Sequence, residues 1–376
     1  MDFRLSEEEQ AVADLARQIL ADQVTNERLK DIESKPEVFD AEVWTALADS
    51  NLLGVAIPEA YGGSGLGYLA LCLLLHEVGR HVAPVPAYGA LALGALALAE
   101  FGDEAQKSEW LPRVATGEAL LPAALVELDS SDPLRPSTTA RRTEGGYVLS
   151  GEKSLVPAAT RADRILIPAA AEDGTVILAW VTPGAAGLRV ESQKASDRQP
   201  YAYLALDEVA VSETDCLAQG AEGINRLRWL VERATVARCA MQLGVTERSL
   251  EMTAAYGRER VQFDVAIGSF QAFHQRAADA YILIEALRLS TWEAAWRLGQ
   301  GLEATDPVSV AKYWAAEAQA SAYACQHLHG GVGIDVDYPL HRYFIWATQI
   351  EHELGSAPLQ LEKLGARIAD EGICDL

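Results

Sequence analysis

One stretch of this chain concentrates residue types that could do chemistry: Arg258-Glu-Arg-Val-Gln-Phe-Asp-Val-Ala-Ile-Gly-Ser-Phe-Gln271. Its pattern predicts a helix that ends at Arg260, a short turn through Gly268, and a second helix that opens with Ser269, Phe270 and Gln271. A guanidinium offers planar, paired donors, and a helix N-terminus adds unpaired N–H groups and the positive end of its dipole. Together they suit an anion such as a pyrophosphate. A second glycine-rich stretch holds Gly62, Gly63, Gly65 and Gly67. No strand precedes it, so it reads as a loop between helices rather than a dinucleotide fingerprint.

The chain that must position these groups has 376 residues, 49% hydrophobic and 23% charged, which fits a globular protein with two or three core-bearing units. Its 31 basic and 54 acidic residues give a formal charge of −23. That balance argues against a general nucleic-acid binder and against an anionic membrane surface, while leaving room for a local basic pocket. The acidic start lacks the apolar stretch of a signal peptide, and the apolar run from Tyr88 to Ala99 is too short to span a bilayer. A cytoplasmic protein with a buried helix over that run is expected. Cys72, Cys216, Cys239, Cys325 and Cys374 are scattered without a CxxC spacing, which points to reduced thiols and no metal site.

Three zones follow one another, and the fold class they imply is α+β. Residues 1–120 read as helical, opening with a capping box of Ser6 and Glu9 and an apolar stripe of Ala11, Leu15, Ile19 and Leu20. Residues 121–217 carry short apolar runs, among them Ala123–Val126, Ile165–Ile167, Val176–Val181 and Leu204–Val211, punctuated by Gly145-Gly146, Asp173-Gly174 and Pro183-Gly184. This predicts a small antiparallel β barrel or sandwich. Residues 218–376 return to helix, with Phe273, Ala277, Tyr281, Ile284 and Leu287 at helical spacing, as in an antiparallel four-helix bundle.

The three zones and their motifs resemble the acyl-CoA dehydrogenase family over essentially the whole chain. Pro58-Glu-Ala-Tyr-Gly-Gly-Ser-Gly65 is similar to the family's PExxGGxG loop. Tyr256-x-x-x-Arg260-x-Gln262-Phe263 with Ile267-x-x-Phe270-Gln271 resembles its YxxxRxQFGxPIxxFQ signature, and His329-Gly-Gly-Val-Gly333 its HGGxG turn. The resemblance implies FAD held between two subunits. It also implies a carboxylate base that takes the α-proton of an acyl-CoA thioester while the β-hydride goes to the flavin, and electrons leaving to an electron-transfer flavoprotein. It assigns Arg260 to the pyrophosphate of the neighbouring subunit's FAD. Gln262, Phe263, Phe270 and Gln271 are set against that flavin, and Gly330 and Gly331 against its adenosine half. His327 stands where relatives carry Gln and is a further candidate donor.

The base is missing. The family places it in a YEGT-like stretch after the HGGxG turn or on the long helix before the signature arginine. These positions hold Leu354 and, 26 residues before Arg260, Ala234. Glu353, Glu351 and Glu232 are neighbours that a regular helix would turn roughly 100° away. The family's GxKxWITN segment reads Gly151-Glu-Lys-Ser-Leu-Val-Pro-Ala158, without its Trp and Thr, and Val126–Pro133 replaces a TEPxxGSD-like segment. Groups for a neighbour's flavin remain while groups for the chain's own flavin are gone. The pattern is similar to the base-lacking subunit of the α2β2 acyl-CoA dehydrogenases of actinobacterial steroid side-chain degradation. It implies FAD shared across the subunit interface with a homologous, Glu-bearing partner. A self-sufficient enzyme with a displaced base and a non-catalytic member of the fold stay open as alternatives.

Overall fold

The computed structural model describes residues 4–130 and 132–371. Ser131 of the degraded segment and Cys374 lie outside the described residues. The first helices are α1 (Glu7–Gln23), α2 (Asn26–Glu33), α3 (Ala41–Asp49) and α4 (Gly67–Arg80). A wide π-helical turn over Tyr88–Ala95 then runs into α5 (Leu96–Phe101), followed by α6 (Glu104–Ala115). The Ser6–Glu9 capping box forms as expected. The buried stripe of α1 is Val12, Ala13, Ala16 and Leu20, however, and Leu15 is exposed. Small Ala13 and Ala16 face the neighbouring helices, and bulk alone had pointed to the wrong side. The Tyr88–Ala95 run is buried throughout. A Cβ on its Gly94 would collide with the Leu121 carbonyl oxygen.

The middle zone is a single seven-stranded sheet in the order β5-β6-β2-β1-β3-β4-β7. Its strands are β1 (Thr139–Thr143), β2 (Gly146–Pro157), β3 (Ile165–Ala171), β4 (Val176–Val181), β5 (Leu188–Lys194), β6 (Pro200–Ser212) and β7 (Cys216–Ala218). The sheet is mixed rather than wholly antiparallel, because β1 pairs with β3 in parallel. β2, β3, β4 and β6 all send residues into one core around Leu149, Ile167, Ile177 and Leu204, so the sheet curls over itself. Ala123–Val126, expected as a strand, makes only isolated bridges to Leu166 and Ser154.

The last zone holds α7 (Gly223–Glu259), a hairpin of β8 (Val261–Gln262) and β9 (Val265–Ala266), α8 (Gln271–Gly299), α9 (Thr305–Glu317), α10 (Gln319–His329), α11 (Leu340–His352) and α12 (Ala357–Glu371). α7, α8, the α9–α10 pair and α11 pack as the bundle, with α12 against α9. Of the expected α8 seam, Phe273, Ile284 and Leu287 are buried, Ala277 is half-buried and Tyr281 is exposed. α4 lies directly along α7. Cβ atoms on Gly79 and Gly244 would strike the backbone carbonyls of Met241 and His76, so glycine sets this close approach. One apolar core therefore runs through the first and last helical zones together.

Candidate functional site

The 37-residue α7 ends at Glu259, with Arg260 in extended backbone. The connection to α8 is a hairpin rather than the expected short turn. Phe263 and Asp264 both have positive φ, as a two-residue hairpin turn requires, and aspartate tolerates that region better than most residues. The hairpin is clasped at its base: Ile267 N donates to Arg260 O at 2.8 Å, and Gly268 sits against the Gly257 backbone where a side chain would clash. Its polar and aromatic groups point outward. Phe263 is 86% exposed and packs edge-on against the partly exposed Phe270. Arg260, Gln262 and Gln271 are exposed, and no ion pair is made by Arg260 among the described residues. α8 opens without a side-chain cap and without acid in its first turn, so its N–H groups and dipole remain available to an anion.

The HGGVG turn lies at the same end of the bundle. Tyr256, which opens the signature, stacks on His329 with ring centroids 4.4 Å apart. His329 is buried between Cys325 O at 2.8 Å and Tyr338 Oη at 3.2 Å, and burial lowers its pKa. This stacked pair ties the two motifs together. Sequence reasoning quoted both residues but gave them no role. Gly330, at φ 58°, and Gly331 are exposed with open space at the Cβ position. His327 is exposed and lies parallel to Tyr323.

The two base positions lie elsewhere. Ala234 is fully buried in the middle of α7. At about 1.5 Å per residue, it stands roughly 39 Å along the helix from Arg260. α11 stops at His352, so the expectation that Glu353 and Leu354 continue a regular helix is corrected. Glu353 is extended and Leu354 is left-handed at φ 58°. The corner is held by Lys312, whose buried ammonium donates to Ile350 O and Glu351 O, both at 2.9 Å. Burial lowers that ammonium's pKa to about 8.

The kink brings Glu353 beside Leu354 in one cavity, where it faces Arg238, one turn beyond Ala234. The two make a buried ion pair, with Nε 2.5 Å from Oε2. The Tyr201 hydroxyl stands between Asp197 at 2.9 Å and Glu353 at 3.1 Å, and accepts from Arg238. The Arg238 guanidinium lies 3.7 Å from the centre of the Tyr88 ring. One cation thus serves two carboxylates. Burial, then the nearby Glu353 charge, pushes Asp197 up to about 6. Glu232 accepts from Thr305 Oγ1 at 2.8 Å.

On the sheet face next to this cavity several donors are used within the chain. Ser154 N goes to Val126 O, Leu155 N to Gln193 Oε1 and Ala158 N to Pro200 O, and Pro157 has none. Glu127 and Lys153 form a buried pair 2.6 Å apart. Glu127 also accepts from Ser137 and Thr138. Burial opposes its charge, but Lys153 and these donors hold it down to about 2. The residues at the Arg260 end therefore fit an anion such as the pyrophosphate of FAD, whereas the space beside Leu354 is occupied by the Arg238–Glu353 pair.

The chain belongs to the acyl-CoA dehydrogenase family, and so to its FAD-dependent oxidoreductases. The family's N-terminal domain matches residues 6–118 and its C-terminal domain residues 221–369. The chain is 36% identical to acyl-CoA dehydrogenase FadE27 of Mycobacterium tuberculosis, across 98% of this chain and 99% of that one. Among solved structures it is 42% identical to a chain of a variant of the Tcur3481-Tcur3483 steroid ACAD, with a TM-score of 0.91 over 97% of this chain and 98% of that one. It is 36% identical to a chain of the ChsE4-ChsE5 complex of M. tuberculosis, with a TM-score of 0.93 over 98% and 99%.

Proposed function

We propose that this chain is the flavin-sharing, base-lacking subunit of a heteromeric acyl-CoA dehydrogenase. A homologous partner in an α2β2 assembly supplies the catalytic glutamate and the ring pocket. The observation that carries this reading is the separation along α7. The outward-facing Arg260 end suits an anion, and roughly 39 Å back along the helix one of the family's base positions holds Ala234, while the other, just past α11, holds Leu354. Arg260 and the uncapped start of α8 hold the pyrophosphate of a flavin that belongs to the partner. Gln262, Phe263, Phe270 and Gln271 cover its flank. Gly330 and Gly331 let backbone approach the adenosine half, with His327 as a further donor. Bound there, FAD supplies the acceptor for the hydride from the acyl β-carbon. Electrons then pass to an electron-transfer flavoprotein.

The substrate class is an acyl-CoA. A steroid side-chain ester is favoured by the similarity to complexes described as steroid ACAD and ChsE4-ChsE5. Among the described residues Cys72, Cys216, Cys239 and Cys325 are free thiols, which suits a cytoplasmic location.

Flavin absorbance of the chain purified alone and with a homologous Glu-bearing chain tests the assignment. Flavin and dehydrogenation should appear only in the complex. Arg260→Ala removes a charge-assisted contact and should weaken flavin retention about tenfold to a hundredfold. A yellow, active preparation of the chain alone supports the self-sufficient alternative instead. Flavin content indifferent to Arg260→Ala supports a member of the fold that contributes nothing to flavin.

A further inference from the structure

We infer that Arg238 is a plug: its ion pair with Glu353, packed under Tyr88 and Tyr201, closes this chain's own cleft to flavin ring and acyl chain. The inference rests on the reading above and deepens it, because it concerns what stands where the chain's own chemistry would be. The loss of a base needs only Leu354 and Ala234. The closure is a separate feature, made by residues that fill space.

Three neighbouring pockets share lining residues. A vestibule of about 510 Å³ opens between the α2–α3 connection and β5, and is lined in part by Gln199 and Pro200. The same two residues line a neighbouring pocket, which adds Tyr201, Pro157, Tyr88 and Arg238 and measures only about 30 Å³. A third cavity, shared by Tyr88, Pro157, Arg238, Glu353 and Leu354, measures about 20 Å³. A single water needs roughly 10–15 Å³ by a probe measure, so each of these two pockets has room for a few waters at most and not for a flavin ring. Both are lined by Arg238, and enlarging them means moving a cation out of its pair.

That pair is not free to move. Arg238 and Tyr201 are buried, and Glu353 also accepts from Gln349 Nε2 at 3.1 Å. Removing one partner of a buried ion pair strands the other without compensation. The position is one where an apolar side chain would have packed against Tyr88 at no electrostatic cost. Arginine with glutamate instead fills the space and resists being pushed aside by an apolar ligand, which would have to break the pair without replacing it. The consequence is that this chain's own cleft stays shut even when the partner is bound.

The test reads cleft access in the co-purified complex. Met241, which lines the same pocket as Tyr201 and is 3% exposed, is replaced in a reporter variant, Met241→Cys. Labelling of that thiol by methyl methanethiosulfonate is followed by mass spectrometry. Two further backgrounds remove the charges equally and differ in volume: Arg238→Met with Glu353→Gln, and Arg238→Ala with Glu353→Gln. Labelling should be slow with Arg238 intact and with the Met/Gln pair, and about tenfold or more faster with the Ala/Gln pair. Fast labelling with Arg238 intact, or equally slow labelling in all three, overturns the plug. Should the Ala/Gln complex not assemble, Arg238→Val with Glu353→Gln is read against the same two outcomes. Flavin content is measured on the same preparations. A complex without flavin sinks the sharing assignment and leaves the labelling result standing.

Discussion

α7 carries two arginines that meet opposite fates. Arg260, at its end, is exposed and has no ion pair among the described residues, beside an uncapped helix start and a protruding aromatic hairpin. Arg238, near its middle, is buried, ion-paired with Glu353 and covered by Tyr88. The difference separates what the chain offers from what it keeps. A guanidinium with free donors at the surface has hydrogen-bonding capacity for a ligand or a partner. A guanidinium already held by a carboxylate, a hydroxyl and a ring face can only hold structure. The same helix therefore presents an incomplete site at one end and a filled one near the middle, which is the arrangement expected of a subunit that lends binding groups and keeps no chemistry.

The sharpest break in that comparison comes from Glu353→Ala, which leaves Arg238 buried and unpaired. Unfolding by urea should show a loss of about 3–5 kcal/mol. A loss under about 1 kcal/mol would mean the pair is solvated, and the filled end would then be no more fixed than the open one. Gly244→Ala tests the frame that keeps the middle of α7 in place. The added methyl meets the His76 carbonyl across the α4–α7 crossing and should cost about 1–3 kcal/mol.

Beside that crossing lies a charge network that gives the frame a pH dependence. His76 sits between Glu77 Oε1 at 3.1 Å and Glu247 Oε2 at 2.9 Å, with Arg17, Arg80 and Arg288 around them. Burial works against the imidazolium, but the two carboxylates outweigh it and raise its pKa to about 9 from 6.5. A raised folded-state pKa means the stabilisation is complete below pH 6.5 and is lost as pH climbs toward about 9. Glu77 and Glu127, both held down to about 2, add stability above about pH 4.5 that disappears as pH falls toward 2. Asp197, raised to about 6, loses stability as pH rises from 3.8 to about 6. Urea midpoints should therefore fall as pH rises from 6.5 to about 8, above which the lowered Lys312 acts in the opposite sense, and His76→Gln should flatten that fall. An unchanged alkaline slope in the variant would remove His76 as its source.

The fold was legible where pattern and chemistry coincide. The Ser6–Glu9 box, the long helices and the apolar strands β3, β4 and β6 stand in the sequence because capping, length and burial each leave a mark. β1 did not stand out, since Thr-Ala-Arg-Arg-Thr buries only Ala140 yet lies between β2 and β3 and makes the sheet mixed. The hairpin was hidden because its turn uses Phe263 and Asp264 in place of an obvious Asn-Gly signal. At the candidate site, Arg260 and the glycine turn were visible as motifs, and Leu354 and Ala234 as departures from them. The Arg238–Glu353 pair was not visible. It joins residues 115 positions apart, and it depends on α11 ending at His352 so that Glu353 swings toward α7. Helical spacing had turned Glu353 away, and only the broken helix turns it back.

The smallest expected effect on stability comes from the other end of the comparison. Phe263 is 86% exposed, and its only ring neighbour among the described residues is Phe270, so Phe263→Ala should change the unfolding free energy by no more than about 0.5 kcal/mol. An exposed aromatic on a hairpin clasped at its base has little to hold within its own chain. It has area to offer outside, and aromatic anchors commonly dominate interfaces. The same variant should therefore co-purify with less flavin, or with less partner, while its urea midpoint stays in place. A midpoint that falls along with flavin content would show that the hairpin packs on its own chain. The Arg260 end would then be a structural corner like the Arg238 end, and the contrast between the two arginines would no longer divide lending from keeping.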